Sequence, residues 1–182
     1  LLSTIYIDAF GLNEKDIIKR LNLIKSNKKY TLGGFASSLF VISKVVEKNK
    51  IKCRFDNIIS WGDKLFSHYE KSIEHILRAK VFENYACNEG IMIGQKKDLP
   101  YFYIYTPSTF VEIIDNEGNP VSDGEIGRVV VTKLDGFAMP LIRYDIGDLA
   151  IILPNDRYPK KRDFSFPLLE KVVGRNTDII KT

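Results

Sequence analysis

Three short segments of this 182-residue chain gather polar side chains among glycines and aromatic residues where strand and turn patterns end. The first is Asn84-Tyr85-Ala86-Cys87-Asn88-Glu89-Gly90, an aromatic ring, two amides and a carboxylate in one stretch. Read as a loop after a strand, it can stack a base on Tyr85 and offer Glu89 to magnesium, a cation that takes oxygen ligands and accompanies phosphates. Asn and Gly also favour turns for backbone reasons alone, so a plain surface turn explains the same residues. The second segment, Met139-Pro140-Leu141-Ile142-Arg143-Tyr144-Asp145-Ile146-Gly147-Asp148, brackets one cation and two carboxylates with apolar residues. Asp148, between a glycine and the apolar run LAIIL, reads as a carboxylate at a strand entrance, positioned to accept hydrogen bonds from ribose hydroxyls as acidic residues do in dinucleotide sites. An ion pair of Arg143 with Asp145 or Asp148 is the structural alternative. The third is Val173-Gly174-Arg175-Asn176-Thr177-Asp178, a turn carrying one cation.

The elements that must position these segments change character along the chain. Asn13 caps a predicted helix with Ile17, Leu21 and Ile24 on one face, and lysines gather toward its end. LFVISKVVEKNK carries a second helical period, FDNIIS a short buried strand, and Ser67 with Glu70 a capping box for a third helix buried through Ile73, Ile76 and Leu77. KVFENY returns to strand. Helices between strands imply crossovers and a largely parallel sheet. From about Gly94 the helical period gives way to strands (YFYIYT, FVEIID, RVVVTK) separated by turn residues. The expected fold is α/β: a partial parallel sheet with flanking helices in 1–93, then a mainly antiparallel β lobe, a meander or partial barrel, in 94–182.

Bulk properties narrow the function classes. A composition 45% hydrophobic and 27% charged is that of a packed globular protein. No apolar run approaches the length of a membrane span, and LLSTIYIDAFGLNEKD has neither a basic leader nor a cleavage site, so a cytoplasmic chain is expected. Cys53 and Cys87 have neither zinc-type nor disulfide-framework spacing. The net charge of +4 comes from scattered clusters such as Arg157, Lys160, Lys161 and Arg162. Without aromatic residues alternating with the charges, a solvated surface is expected rather than a nucleic-acid site, and the charge still suits ATP. His68 and His75 share a helix face without a third ligand in register. Asp115-Asn116-Glu117-Gly118 reads as a hairpin turn, not a calcium loop, and Trp61 suits either a pocket wall or the core.

In order, Y-x-x-x-E-G, P-L-I-R-Y-x-x-G-D and G-R-x-x-D-I-I resemble motifs of adenylate-forming enzymes, in the phenylacetate-CoA ligase and CapK-type (capsular polysaccharide biosynthesis) branch. GGFASSLFVISKVVE is similar to that branch's helix entry, and FVEIIDNEGNPVSDGEIGRVVVTKL to its hairpin before the ribose-binding aspartate. The resemblance implies an ATP-dependent carboxylate-activating ligase. Glu89 would bind magnesium beside the ATP phosphates, Asn84 and Tyr85 would hold adenine, and Asn88 would stand where Thr or Ser touches phosphate. Asp148 would take the ribose hydroxyls, Arg175 the same ribose or the phosphate, and Gly62 and Asp63 would lie against the nucleotide. The partners implied are ATP or AMP, a small-molecule carboxylate and a thiol acceptor such as coenzyme A; no catalytic residue is assigned. Ala86, Asn88 and Thr177 depart from the family's usual glycine, Thr or Ser, and acidic hinge residue. RYPKKRDFSFPLLEKV lacks the cysteines of many relatives. With no glycine-rich phosphate loop ending in lysine and no lysine-bearing terminal domain, the expectation is a piece of a longer parent chain, inactive alone. The rival reading is a degenerate nucleotide-binding or scaffold domain without chemistry.

Overall fold

A computed structural model describes residues 4–25 and 27–176. The chain divides into two compact units, Leu1–Glu83 and Asn84–Thr182, ten or so residues before the pattern change at Gly94 because the hairpin after Glu83 already belongs to the second unit. Among the described residues no helix is long and apolar enough to cross a membrane.

In the first unit, helix α1 (Glu14–Leu21) begins where the Asn13 side chain accepts the Asp16 N–H at 2.8 Å, with Glu14 and Asp16 at its positive end and Lys19 and Arg20 at its negative end. Helices α2 (Ala36–Asn49) and α3 (Ser67–Leu77) link the parallel strands β1 (Thr31–Gly34), β2 (Asn57–Ser60) and the first half of β3 (Val81–Cys87). Ile17, Leu21, Leu39, Ile42, Ile58, Ile73 and Leu77 form one core, each side chain contributing about 1.5–3 kcal/mol by leaving water. The capping box does not form: Phe66 is the N-cap residue, without a side-chain cap bond, so Ser67 is already inside the helix where its hydroxyl cannot cap it.

The start of α2 is capped from a distance. Phe35, its N-cap residue, has no capping side chain, and the Asp63 carboxylate instead accepts the N–H groups of Ala36 and of Ser37 (3.0 Å). Gly62 makes that approach possible: its φ is +84°, and a Cβ there would lie 2.4 Å from the Phe35 ring. Trp61 is 40% exposed and lies over Gly33, outside the core.

In the second unit β4 (Ile91–Gln95), β5 (Phe102–Ile104), β6 (Thr109–Ile114), β7 (Ile126–Lys133), β8 (Tyr144–Ile152) and β9 (Leu168–Arg175) join the second half of β3. All pairs are antiparallel, in the order β3-β4-β5-β9-β8-β7-β6, and the sheet is not closed. Alternate residues point inward, and Ile91, Ile93, Phe102, Ile104, Val129, Val131 and Leu169 fill the concave side. Asp115–Gly118 is the β6–β7 turn, with Asn119 N–H on the Asp115 carboxylate at 2.8 Å.

Asp63→Ala is expected to destabilise the chain by about 1–2 kcal/mol through loss of the cap, read as a lower urea midpoint at unchanged m-value. A midpoint equal to that of the wild type would mean that Asp63 does not hold α2.

Candidate functional site

The residues singled out between Asn84 and Gly90 are mostly strand, not loop. β3 continues to Cys87, and only Asn88, Glu89 and Gly90 form the turn into β4, with Gly90 at φ +75°. Asp148 likewise stands within β8 rather than at its entrance, since pairing with β7 already begins at Tyr144. Both shifts place Tyr85 and Asp148 on hydrogen-bonded strand backbone, which fixes their direction better than loops would.

Two hydrogen bonds join these strands reciprocally. The Tyr85 hydroxyl on β3 donates to Asp148 Oδ2 on β8 at 2.8 Å, and the Tyr144 hydroxyl on β8 donates to Glu89 Oε1, just past β3, also at 2.8 Å. Each strand therefore gives a tyrosine to the other's carboxylate. β3 and β8 are not neighbours in the sheet, so the clasp depends on the sheet's curvature, which brings Tyr85 into the same core as Ile146 and Ala150.

The electrostatics follow from this geometry. Burial, with the nearby Asp148 carboxylate adding to it, pushes the Tyr85 hydroxyl far above its ordinary range, so it is always a donor. Glu89 is held below the usual carboxylate range, first by the Tyr144 hydroxyl, then by the Cys87 thiol and its own backbone N–H. Burial raises Cys87 itself, which keeps its thiol protonated and able to donate.

Arg175 completes the group. Asp148 and Arg175 stand opposite each other in the β8–β9 register, and Arg175 Nε lies 3.2 Å from Asp148 Oδ1. Its Nη1 also donates to the Ile146 carbonyl at 2.6 Å. With its side chain 56% exposed, Arg175 adds at most about 1 kcal/mol of stability through the pair but leaves charge toward solvent. Gly147 admits it: the φ there is +79°, and a Cβ would press against Arg175 Nη1 at 3.2 Å.

The remaining candidates sit as follows. Asn84 accepts from the Gln95 side chain at 2.5 Å, its partner in the β3–β4 register, and Asn88 is exposed at the turn. Gly62 and Asp63 belong to the first unit, where they shape the start of α2. Arg143 pairs with neither Asp145 nor Asp148. At φ +48° its side chain turns to Glu112, at 3.3 Å, and the Gly118 carbonyl, while Asp145 is taken by Arg128 at 2.6 Å. Thr177 and Asp178 lie outside the described residues. Tyr144 was missing from the predicted site although it stands in the quoted motif, because its partner lies 55 residues away.

No family model matches the chain. Phenylacetate-coenzyme A ligase of Pseudomonas putida is 31% identical to it over 127 residues, 66% of this chain and 26% of the relative. Protein CapK of Staphylococcus aureus is 25% identical over an alignment of 186 positions, covering 100% of this chain and 39% of the relative. These likenesses support the adenylate-forming superfamily. Solved structures share its fold. An open conformation of 2-hydroxyisobutyryl-CoA ligase in complex with 2-HIB-AMP and CoA matches with a TM-score of 0.75 at 21% identity, over 93% of this chain and 40% of that one. A benzoate CoA ligase from Burkholderia xenovorans LB400 matches with a TM-score of 0.66 at 16% identity, over 93% and 35% of the two chains. The chain thus spans between about a quarter and two-fifths of the length of these proteins.

Because the folded pKa of Glu89 is depressed, its contacts stabilise the fold above the unfolded pKa, and that contribution is lost as pH falls through the folded value. Tyr144→Phe removes the largest cause, so the Glu89 carboxyl should titrate at higher pH, measured by carbon-13 NMR. Identical titration curves would show that the hydroxyl does not bind Glu89.

Proposed function

We propose that this chain carries nucleotide-binding residues of an ATP-dependent, acyl-adenylate-forming ligase. The observation that carries the reading is the reciprocal clasp, which joins the two segments whose residues match the nucleotide motifs of the superfamily and leaves Glu89, Asp148 and Arg175 partly open to a ligand. In this reading Asp148 accepts the ribose hydroxyls while Tyr85 and Arg175 hold its two oxygens in place. Only 9% of Tyr85 is exposed, so it serves the nucleotide mainly through Asp148, and Asn84 borders the adenine beside it. Asn88 offers an amide to phosphate, and Arg175 offers a cation to the ribose or the α-phosphate.

A divalent cation fits the donor set. Glu89 is a carboxylate kept ionised by its neighbours, and magnesium is usually held by one or two carboxylates together with phosphates and water. Bound there, magnesium would neutralise phosphate charge. In the reaction a substrate carboxylate oxygen attacks the α-phosphorus of ATP, pyrophosphate leaves with the electrons of the broken P–O bond, and a mixed anhydride with AMP results. A thiol, coenzyme A in this reading, then displaces AMP from the acyl carbon. The residues of this chain contribute by positioning the nucleotide and stabilising charge, worth several kcal/mol in such sites. The carboxylate and the activity belong to a cytoplasmic parent protein, whose other parts supply the phosphate loop and the lysine-bearing domain.

Asp148→Asn keeps an acceptor for the Tyr85 hydroxyl but removes the charge. AMP affinity of the chain, measured by calorimetry, should fall by about 1–3 kcal/mol, roughly 5- to 150-fold. Unchanged affinity would exclude Asp148 from the ribose. Glu89→Gln should abolish the gain in ATP affinity on adding magnesium while leaving AMP binding without metal intact; a preserved magnesium effect would remove Glu89 from the metal.

A further inference from the structure

The β8–β9 connection carries a second concentration of charge that the nucleotide reading does not use. Its short 3-10 turn Asn155–Arg157 and the following residues border an open surface pocket of about 440 Å³ lined by Asn155, Tyr158, Lys160, Arg162 and Ser165. The connection is pinned at several points. Leu168 N–H donates to the Tyr158 hydroxyl at 2.9 Å, and Arg157 reaches both oxygens of Glu170 at 3.3 Å. Asp163 binds Lys97 at 2.7 Å, and its N–H donates to Asp98 and the Tyr103 hydroxyl.

These bonds engage Asp163 and Glu170, while no ion pair is described for Asp156 in the 3-10 turn. Asp163 and Glu170 are neutralised by Lys97 and Arg157, whereas no ion pair is described for Lys160 or Arg162. The Arg162 guanidinium lies 4.6 Å from the Tyr158 ring centroid, and its Nη1 is sealed from solvent without a hydrogen-bond partner. A buried, unsatisfied donor costs about 1–3 kcal/mol or more for a charged group, and native structures seldom keep one without a compensating ligand, water or ion. Because this guanidinium is already partly stripped of water, an incoming anion gains more from it than from a fully hydrated cation.

We propose that this pocket binds a phosphate group, as free phosphate or as the monoester of a small organic molecule. Arg162 offers a planar fork, Lys160 a point charge, and Ser165 and Asn155 neutral donors, a set that suits the three terminal oxygens of a phosphate dianion better than the two of a carboxylate. The site shares no residue with Glu89, Asp148 or Arg175 and does not depend on the ligase reading. The one aromatic ring in the lining, Tyr158, is covered by the Arg162 guanidinium and leaves no face for base stacking, which favours a small ligand over a nucleic-acid strand.

The test follows backbone amide resonances of residues 155–167 in the 182-residue chain at constant ionic strength. Inorganic phosphate and ribose 5-phosphate should each give saturable shifts, and acetate should bind roughly tenfold or more weakly. Tighter binding of ribose 5-phosphate identifies an organic monoester as the ligand, and equal affinities identify the phosphate group alone. Lys160→Gln, an exposed position, and Arg162→Lys, which keeps the charge but loses the fork, should each weaken phosphate binding roughly tenfold. Asp148→Asn should leave the shifts unchanged. The proposal is overturned if acetate binds as well as phosphate, if both pocket variants bind like the wild type, if Asp148→Asn abolishes the shifts, or if a single-stranded oligonucleotide is preferred over ribose 5-phosphate.

Discussion

The second unit turns on the reciprocal exchange of tyrosine hydroxyls between β3 and β8. Tyr85 and Glu89 flank the end of one strand, Tyr144 and Asp148 belong to the other, and each hydroxyl satisfies the opposite strand's carboxylate. A single hydroxyl–carboxylate bond would tie the strands at one point only. Two bonds in opposite senses do more than add, because they fix both the separation and the register of two strands that no backbone ladder joins. The price is a curved sheet whose concave side must be filled, which the isoleucines and valines of β4, β6 and β7 do.

The clasp also sets the chemistry available to each carboxylate. Asp148 has one oxygen on Tyr85 and one near Arg175, so its direction is determined from both sides. Glu89 is bound through one oxygen by Tyr144 and stabilised in its charged form without being buried deeply. Glycine supports this arrangement at Gly147, where any side chain would meet Arg175. In the first unit Gly62 has the corresponding role, allowing Asp63 to cap α2 beside the Phe35 ring.

Charge is distributed differently on the β8–β9 connection. There Asp163 and Glu170 pair with Lys97 and Arg157, and Lys160 and Arg162 stand on a loop whose backbone is tied down by Tyr158, Asp98 and Tyr103. Cations held on a rigid frame lose little entropy when an anion arrives, unlike the lysines scattered over helix surfaces.

The sequence by itself determined the local elements and the family. Helical and strand periods located α1, α2 and α3 and the strands β2, β3, β5, β6 and β7, and the three motifs pointed to the superfamily, because periodicity and turn chemistry act over a few residues; β1, β4 and β9 were not legible, and Val173–Arg175, read as a turn, ends β9. Asn13 could be read as a cap for the same reason; Ser67 could not, since the chain enters α3 one residue earlier, at Phe66. What the tertiary structure decided was every pairing between distant residues. Tyr85 with Asp148, Tyr144 with Glu89, Arg143 with Glu112 rather than Asp145, and Asp63 with the start of α2 each depend on strand register, sheet curvature or a left-handed backbone angle. Those are set by the packing of the whole unit, and no short stretch of sequence encodes them.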